Sequence, residues 1–161
     1  MVIANIERES QTTLRVLRAI PAERESYSPH AKSRTAFELA WRLAGDEVWV
    51  LDSIADGRFD GLEPERPEEI RSAADVASWY ERNIGRALDR VRGLTGEKLL
   101  RILDYGGAII APAYVHLNLS MLHIIHHRGQ LSVYLRPMGG AVPSIFGPSG
   151  DEPAPDSAAQ A

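Results

Sequence analysis

Between Pro112 and Pro137 the chain reads AYVHLNLSMLHIIHHRGQLSVYLR, and wound at helical pitch this run is apolar nearly all round. Val115, Leu117, Leu119, Leu122, Ile124, Ile125, Leu131, Val133 and Leu135 cover several faces. A helix of that kind must sit at the centre of a bundle or be covered by a second subunit. Every helix of a four-helix bundle keeps an outer face, so the pattern predicts a homodimer. Pro112 suits the first turn, and Pro137 ends the helix near Arg136 because a residue before proline avoids the helical region.

A polar line runs down this oily helix. At about 100° per residue, His116, Ser120, His123, His127, Gln130 and Tyr134 fall on one stripe. His123 and His127 lie about 6 Å apart along the axis, so two imidazoles can offer nitrogens to one metal ion. His116 is about 10 Å of rise from His123, too far to share that ion comfortably. His126 stands about 60° off the stripe and fits the helix edge, or a hydrogen bond to a neighbouring helix, better than a metal. Gln130 fits either an imidazole-orienting partner or a glutamine satisfied by backbone. Gly129 costs about 1 kcal/mol against alanine in a helix interior, which suggests tight approach of another backbone.

The remaining elements follow from spacing and punctuation. Val2 to Ala19 carries Ile3, Ile6, Thr13, Leu14, Leu17 and Ile20 at mostly helical spacing, and Pro21 ends the run. PAERESYSPHAKS reads as a loop leading to a Thr35/Glu38 capping box, from which a second helix runs to about Ile54 before Ala-Asp-Gly stops it. DGRFDGLEPERPEE reads as an ordered surface loop in which Phe59 and Leu62 have something to bury. Ser72 with Asp75 opens a third helix through Trp79, Tyr80, Ile84, Leu88 and Val91 to Gly93. EKLLRILDYGGAIIAP then suits a short helical turn and an extended segment or small hairpin. The fold class is all-α: a four-helix bundle over residues 1–148, with residues 149–161 a flexible, proline-rich tail.

Composition narrows the function classes. The 161 residues, 44% hydrophobic, suffice for one compact domain. A net charge of −4 and a pI near 5.7 argue against nucleic acid as a partner. With no cysteine, Cys-ligated zinc and a thiol nucleophile of the chain's own are excluded. The first twenty residues lack the continuous apolar core of a signal peptide, and no stretch has the length of a membrane span. The expectation is a cytoplasmic protein without a membrane partner.

TAFELAWRLAGDEVWVLD in the second helix and HIIHHRGQLSVYLRPMGGAVPSIFG in the fourth together resemble the DinB/YfiT-like family. HHRGQ preceded by His123 is the more specific part, and YSPH before the second helix and the Gly-Pro-rich end also fit. The resemblance implies a four-helix bundle, often dimeric, whose three histidines bind a divalent metal such as nickel, zinc or iron. It also implies relatives among thiol-dependent transferases, isomerases and hydrolases, although many members have no assigned reaction. This sequence departs from that pattern at Arg42, where the family usually has its first metal-binding histidine. A guanidinium stays protonated, has no lone pair to donate and repels a nearby cation.

Asp46 lies one turn after Arg42 and Glu38 one turn before it. Asp46 with His123 and His127 would resemble a two-histidine, one-carboxylate site. Pairing of Arg42 with Glu38 or Asp46, contributing a few tenths of a kcal/mol if exposed, explains the same charges without a metal. Trp41, Trp49 and Trp79 read as core or interface anchors, and Trp49, one turn beyond Asp46, can also wall a ligand pocket. Two functions stay open. One is a metal-dependent transferase or hydrolase whose ion lowers the pKa of a water or of a low-molecular-weight thiol. The other is a non-catalytic, metal-free bundle, either a structural dimer or one in which Arg42 and the histidines hold a carboxylate- or phosphate-bearing ligand.

Overall fold

Two reciprocal caps set where the bundle's middle helices begin. In the computed structural model, which describes residues 2–152, Thr35 Oγ1 accepts from the Glu38 N–H at 3.2 Å while Glu38 Oε2 accepts from the Thr35 N–H at 2.8 Å. Ser72 and Asp75 repeat the arrangement. Each box satisfies backbone donors that a helix start leaves free. The helices that follow are α2 (Ala36–Asp56) and α3 (Ala73–Arg92). Gly57, at φ 77°, closes α2 in the left-handed conformation that side chains disfavour.

The chain starts with α1 (Val2–Arg18) and a 3-10 turn at Ala22–Arg24 inside the expected loop. After α3 come a short α4 (Gly96–Leu100) and an antiparallel hairpin of β1 (Ile102–Tyr105) and β2 (Ile109–Pro112). Ile102 pairs with Pro112, and Tyr105 with Ile109. Gly106 and Gly107 turn the hairpin at φ 57° and 75°. The final long helix is α5 (Ala113–Leu135). Pro112 lies one residue outside the expected first turn, because its pairing with Ile102 holds it extended, and it caps the helix instead.

Helices α1, α2, α3 and α5 form the bundle, with α2 packed between α3 and α5 and α1 touching both of the latter. Leu17, Leu43, Leu51, Val76, Ile124, Leu131 and Leu135 fill its interior. Two polar pairs are buried among them. Arg128 on α5 is 1% exposed and donates to Glu9 of α1 twice, Nη2 to Oε2 at 2.6 Å and Nη1 to the carbonyl oxygen at 3.0 Å. Tyr80 of α3 donates its hydroxyl to Glu47 Oε2 of α2 at 2.5 Å. Burial pushes the Glu47 carboxyl up to about 7, against the lowering effects of the Tyr80 hydrogen bond and of Arg128.

The apolar character of α5 is only partly used by this chain. Leu117, Ile124, Leu131 and Leu135 face the core, while Leu122 and Val133 are 58% and 72% exposed. Gly129 lies on the exposed side, and no atom stands within 4 Å of where its Cβ would be. The backbone whose approach Gly129 suggested is therefore not supplied by the described residues. Of the tail expected from residue 149 on, Asp151 accepts from Arg136 Nε and from the Val142 N–H, both at 2.9 Å, while residues 153–161 lie outside the described residues. Among the described residues, no helix is long and apolar enough to cross a membrane.

Candidate functional site

Helical spacing places Arg42, Asp46 and Trp49 on one side of α2, and the adjacent face of α5 carries His116, Ser120, His123 and His127. With Phe59 from the loop after α2 and Tyr105 and Ile109 from the hairpin, most of them line a cavity of about 270 Å³. Its body is apolar and aromatic. The Trp49 ring lies 5.5 Å from Phe59 and 5.9 Å from Tyr105, and Phe59 lies 5.0 Å from the His116 ring. Arg42, Asp46 and His123 form the polar end. Arg42 and Asp46 also border an open outer cleft with Lys32, Arg34, Glu38, Glu63 and Arg66.

Arg42 is held between two carboxylates. Its Nε lies 2.7 Å from Asp46 Oδ2, and its Nη1 donates to Glu63 Oε2 at 3.1 Å. The first contact is a close charge pair whose Nε–H is poorly aligned on the Asp46 oxygen. The two acids differ in setting, since the Asp46 side chain is 8% exposed and that of Glu63 is 71% exposed. Burial raises the Asp46 carboxyl to about 6, opposed by Arg42 and reinforced by Glu63.

The imidazoles face each other. His123 Nε2 and His127 Nε2 are 3.0 Å apart, and His127 Nδ1 is 2.7 Å from Gln130 Oε1. With that amide oxygen accepting from Nδ1–H, His127 Nε2 carries the lone pair and accepts from His123 Nε2–H. Burial lowers the His123 pKa to about 4, helped by His127 and Arg42. Burial lowers His127 as well, with His126 and Arg42 adding to it and the Gln130 hydrogen bond opposing it. Both rings are neutral near pH 7 and satisfy one another.

Asp46 Oδ2 lies 3.9 Å from His123 Nε2, so Asp46 and His123 share one end of the cavity, and His127 joins them through its contact with His123. They do not fit a three-ligand ion as they stand. The oxygen nearest His123 is the one in contact with Arg42, and His123 would have to move its proton to Nδ1 before the nitrogen facing His127 could ligate. Among the described residues, no three histidine, aspartate or glutamate side chains are arranged to hold a metal.

The other candidates are spread around this centre. Glu38 does not reach Arg42, because its carboxylate is used in the α2 cap and lies in the outer cleft. His126 is exposed, with its ring 5.0 Å from that of His127. His116 is buried with Nε2 3.2 Å from the Leu103 carbonyl oxygen. Phe59 is packed against the core, while Leu62, expected to be buried with it, is 58% exposed. Sequence reasoning missed Glu63, Tyr105 and Ile109. Tyr105 beside the Gly-Gly turn carried a weak signal, and Glu63, one acid among several in a long loop, carried none.

A family model described as the DinB family matches residues 2–158. The uncharacterized protein YjoA of Bacillus subtilis is 26% identical over 142 residues, spanning 86% of this chain and 89% of that protein. The crystal structure of YjoA, a DinB-like protein, superposes with a TM-score of 0.71 at 23% identity, covering 86% of this chain and 91% of the other. A DinB-like protein from Bacillus cereus gives a TM-score of 0.75 at 23% identity, over 90% and 95% of the two chains.

Proposed function

The chain belongs to the DinB family, and from that premise we propose that its α2–α5 site binds a small organic anion on Arg42 in place of a three-ligand metal ion. The observation that carries this reading is the state of Arg42 at the polar end of the cavity. Its Nε is paired with Asp46 at 2.7 Å, while its Nη1 is engaged by the solvent-exposed Glu63, a partner that a bound anion can replace. A charge-assisted hydrogen bond to a desolvated anion is stronger than one to a solvent-exposed carboxylate, which favours the exchange. The neutral His123–His127 pair offers polar contacts there without adding charge. Titration calorimetry with acetate, benzoate, methylphosphonate and inorganic phosphate tests the reading. At least one should bind, with affinity falling roughly tenfold or more in Arg42→Met. Absence of any Arg42-dependent binding would overturn it.

A metal-dependent transferase or hydrolase acting with a low-molecular-weight thiol is the second reading. It is favoured by two neutral imidazoles 3.0 Å apart and a carboxylate oxygen 3.9 Å from one of them. Stoichiometric nickel, zinc or iron in untagged protein, lost in His123→Ala/His127→Ala, would replace the anion reading with this one. For either function the bundle works as a homodimer, a proposal supported by the exposed apolar face of α5 around Leu122, Gly129 and Val133.

A further inference from the structure

We infer that the ligand of this site is an aryl monocarboxylate, and that Glu63 competes with its carboxylate for Arg42 until the ligand displaces it. The inference rests on the reading of the site as an anion pocket and adds the ligand's chemical class and its mode of entry.

The charge of the cavity selects the head group. Among the described residues that line it, Arg42 alone is cationic, and Asp46 already balances it in part. A singly charged group can share that guanidinium with Asp46 at a smaller cost in repulsion than a doubly charged one. A phosphate dianion would meet Asp46 with no second cation inside the cavity. The protein displays the accepted chemistry itself: Nη1 of Arg42 holds a carboxylate oxygen of Glu63 at 3.1 Å.

Glu63 is suited to be exchanged. It comes from the loop between α2 and α3, whereas Asp46 is fixed one turn from Arg42 on the same helix. The Glu63 side chain is 71% exposed, so its release into water gives up only a weak, solvent-screened ion pair. Glu63 borders the outer cleft and Arg42 lines both that cleft and the cavity, so a ligand carboxylate reaching Arg42 from the cavity side would compete for the same guanidinium while its body is buried.

The lining selects the body. Trp49, Phe59 and Tyr105 stand at mutual ring separations of 5.2 to 5.9 Å, the range in which aromatic groups take edge-to-face contacts. Val50, Ile109 and Leu119 complete the apolar wall. A volume of about 270 Å³ is just under the ~300–1,000 Å³ common for drug-sized ligands, which leaves room for one ring and a short chain.

Calorimetric titration of the full chain with phenylacetate, phenylacetamide, acetate and inorganic phosphate decides the matter. Phenylacetate should bind at least roughly tenfold tighter than its neutral amide, since the charge-assisted contact is lost, and roughly tenfold tighter than acetate, since the ring is lost. Glu63→Gln, a surface change that leaves the fold intact, should bind phenylacetate several-fold tighter because the competing carboxylate is gone. Equal binding of amide and acid, or no gain in Glu63→Gln, would overturn the inference. Acetate or phosphate binding that depends on Arg42 but gains nothing from a ring would also overturn it, while leaving the anion reading standing. If no anion binds in an Arg42-dependent way, both fail together.

Discussion

Arg42 and Asp46 stand one turn apart on α2 with Nε 2.7 Å from Oδ2, and that same oxygen lies 3.9 Å from His123 Nε2. A fixed positive charge therefore sits beside the only carboxylate within reach of the imidazole pair among the described residues. The contact is less exposed than an ordinary helix-surface pair, with side-chain exposures of 24% and 8%, so water screens it weakly. Whatever binds at this end of the cavity meets a guanidinium before it meets a free carboxylate.

Replacing the guanidinium should change what the site accepts. Arg42→His removes the guanidinium charge paired with Asp46 and adds a third imidazole to the α2–α5 site. We expect this variant to take up a divalent ion, nickel, zinc or iron, near one equivalent, and the parent to take up far less. Elemental analysis of both proteins after identical dialysis checks it. An equal metal content in the two would mean that Arg42 does not control the site.

The buried carboxyl of Glu47 makes the bundle sensitive to pH. Burial raises its pKa from 4.5 to about 7, so the folded state favours the protonated acid. Its stabilising contribution is full below the unfolded value and is lost as pH rises through about 7. At about 1.4 kcal/mol per unit, the loss between pH 5 and 8 is on the order of 2–3 kcal/mol. Glu47→Gln still accepts the Tyr80 hydroxyl and cannot ionise. Its melting temperature should vary less than the parent's across that interval, and parallel melting curves for the two would refute the assignment.

The parts of this structure legible in the sequence are those that one helix writes alone. Thr35 with Glu38 and Ser72 with Asp75 signal their caps at short range, and Arg42 with Asp46 or His123 with His127 meet because four residues make about one turn. Glu63 reaches Arg42 only through a long loop whose path no local spacing encodes. The burial of Arg128, which sequence reasoning missed, has a short-range signal. Arg128 lies one turn from both Ile124 and Leu131 on the buried side of α5, a position where a charge needs a partner. That the partner is Glu9, far off in α1, is a tertiary fact.

That partnership should be among the most sensitive in the molecule. Arg128→Met strands the Glu9 carboxylate, 8% exposed at its side chain, without its guanidinium. Breaking a buried pair from one side typically destabilises by about 3–5 kcal/mol. Urea denaturation should show a loss of that order, and Glu9→Leu/Arg128→Met should recover most of it because no charge is left unpaired. A double variant no more stable than the single one would show that packing of the arginine stem, and not the ion pair, holds α1 against α5.

The exposed apolar face of α5 leads to a prediction about assembly. Leu122, at 58% exposure, and Val133, at 72%, flank Gly129, whose missing side chain lets another helix come close. If a second copy packs there, a charge on the face must be desolvated against apolar surface and will oppose association. Leu122→Lys with Val133→Glu should convert a dimer to a monomer in sedimentation analysis without altering the circular dichroism spectrum, because neither side chain contributes to the core. Gly129→Leu should have the same effect by bulk alone, as a side chain there meets nothing within its own subunit. A parent that sediments as a monomer at high concentration would rule out the pairing, and unchanged dimers in all three substitutions would move it to another face.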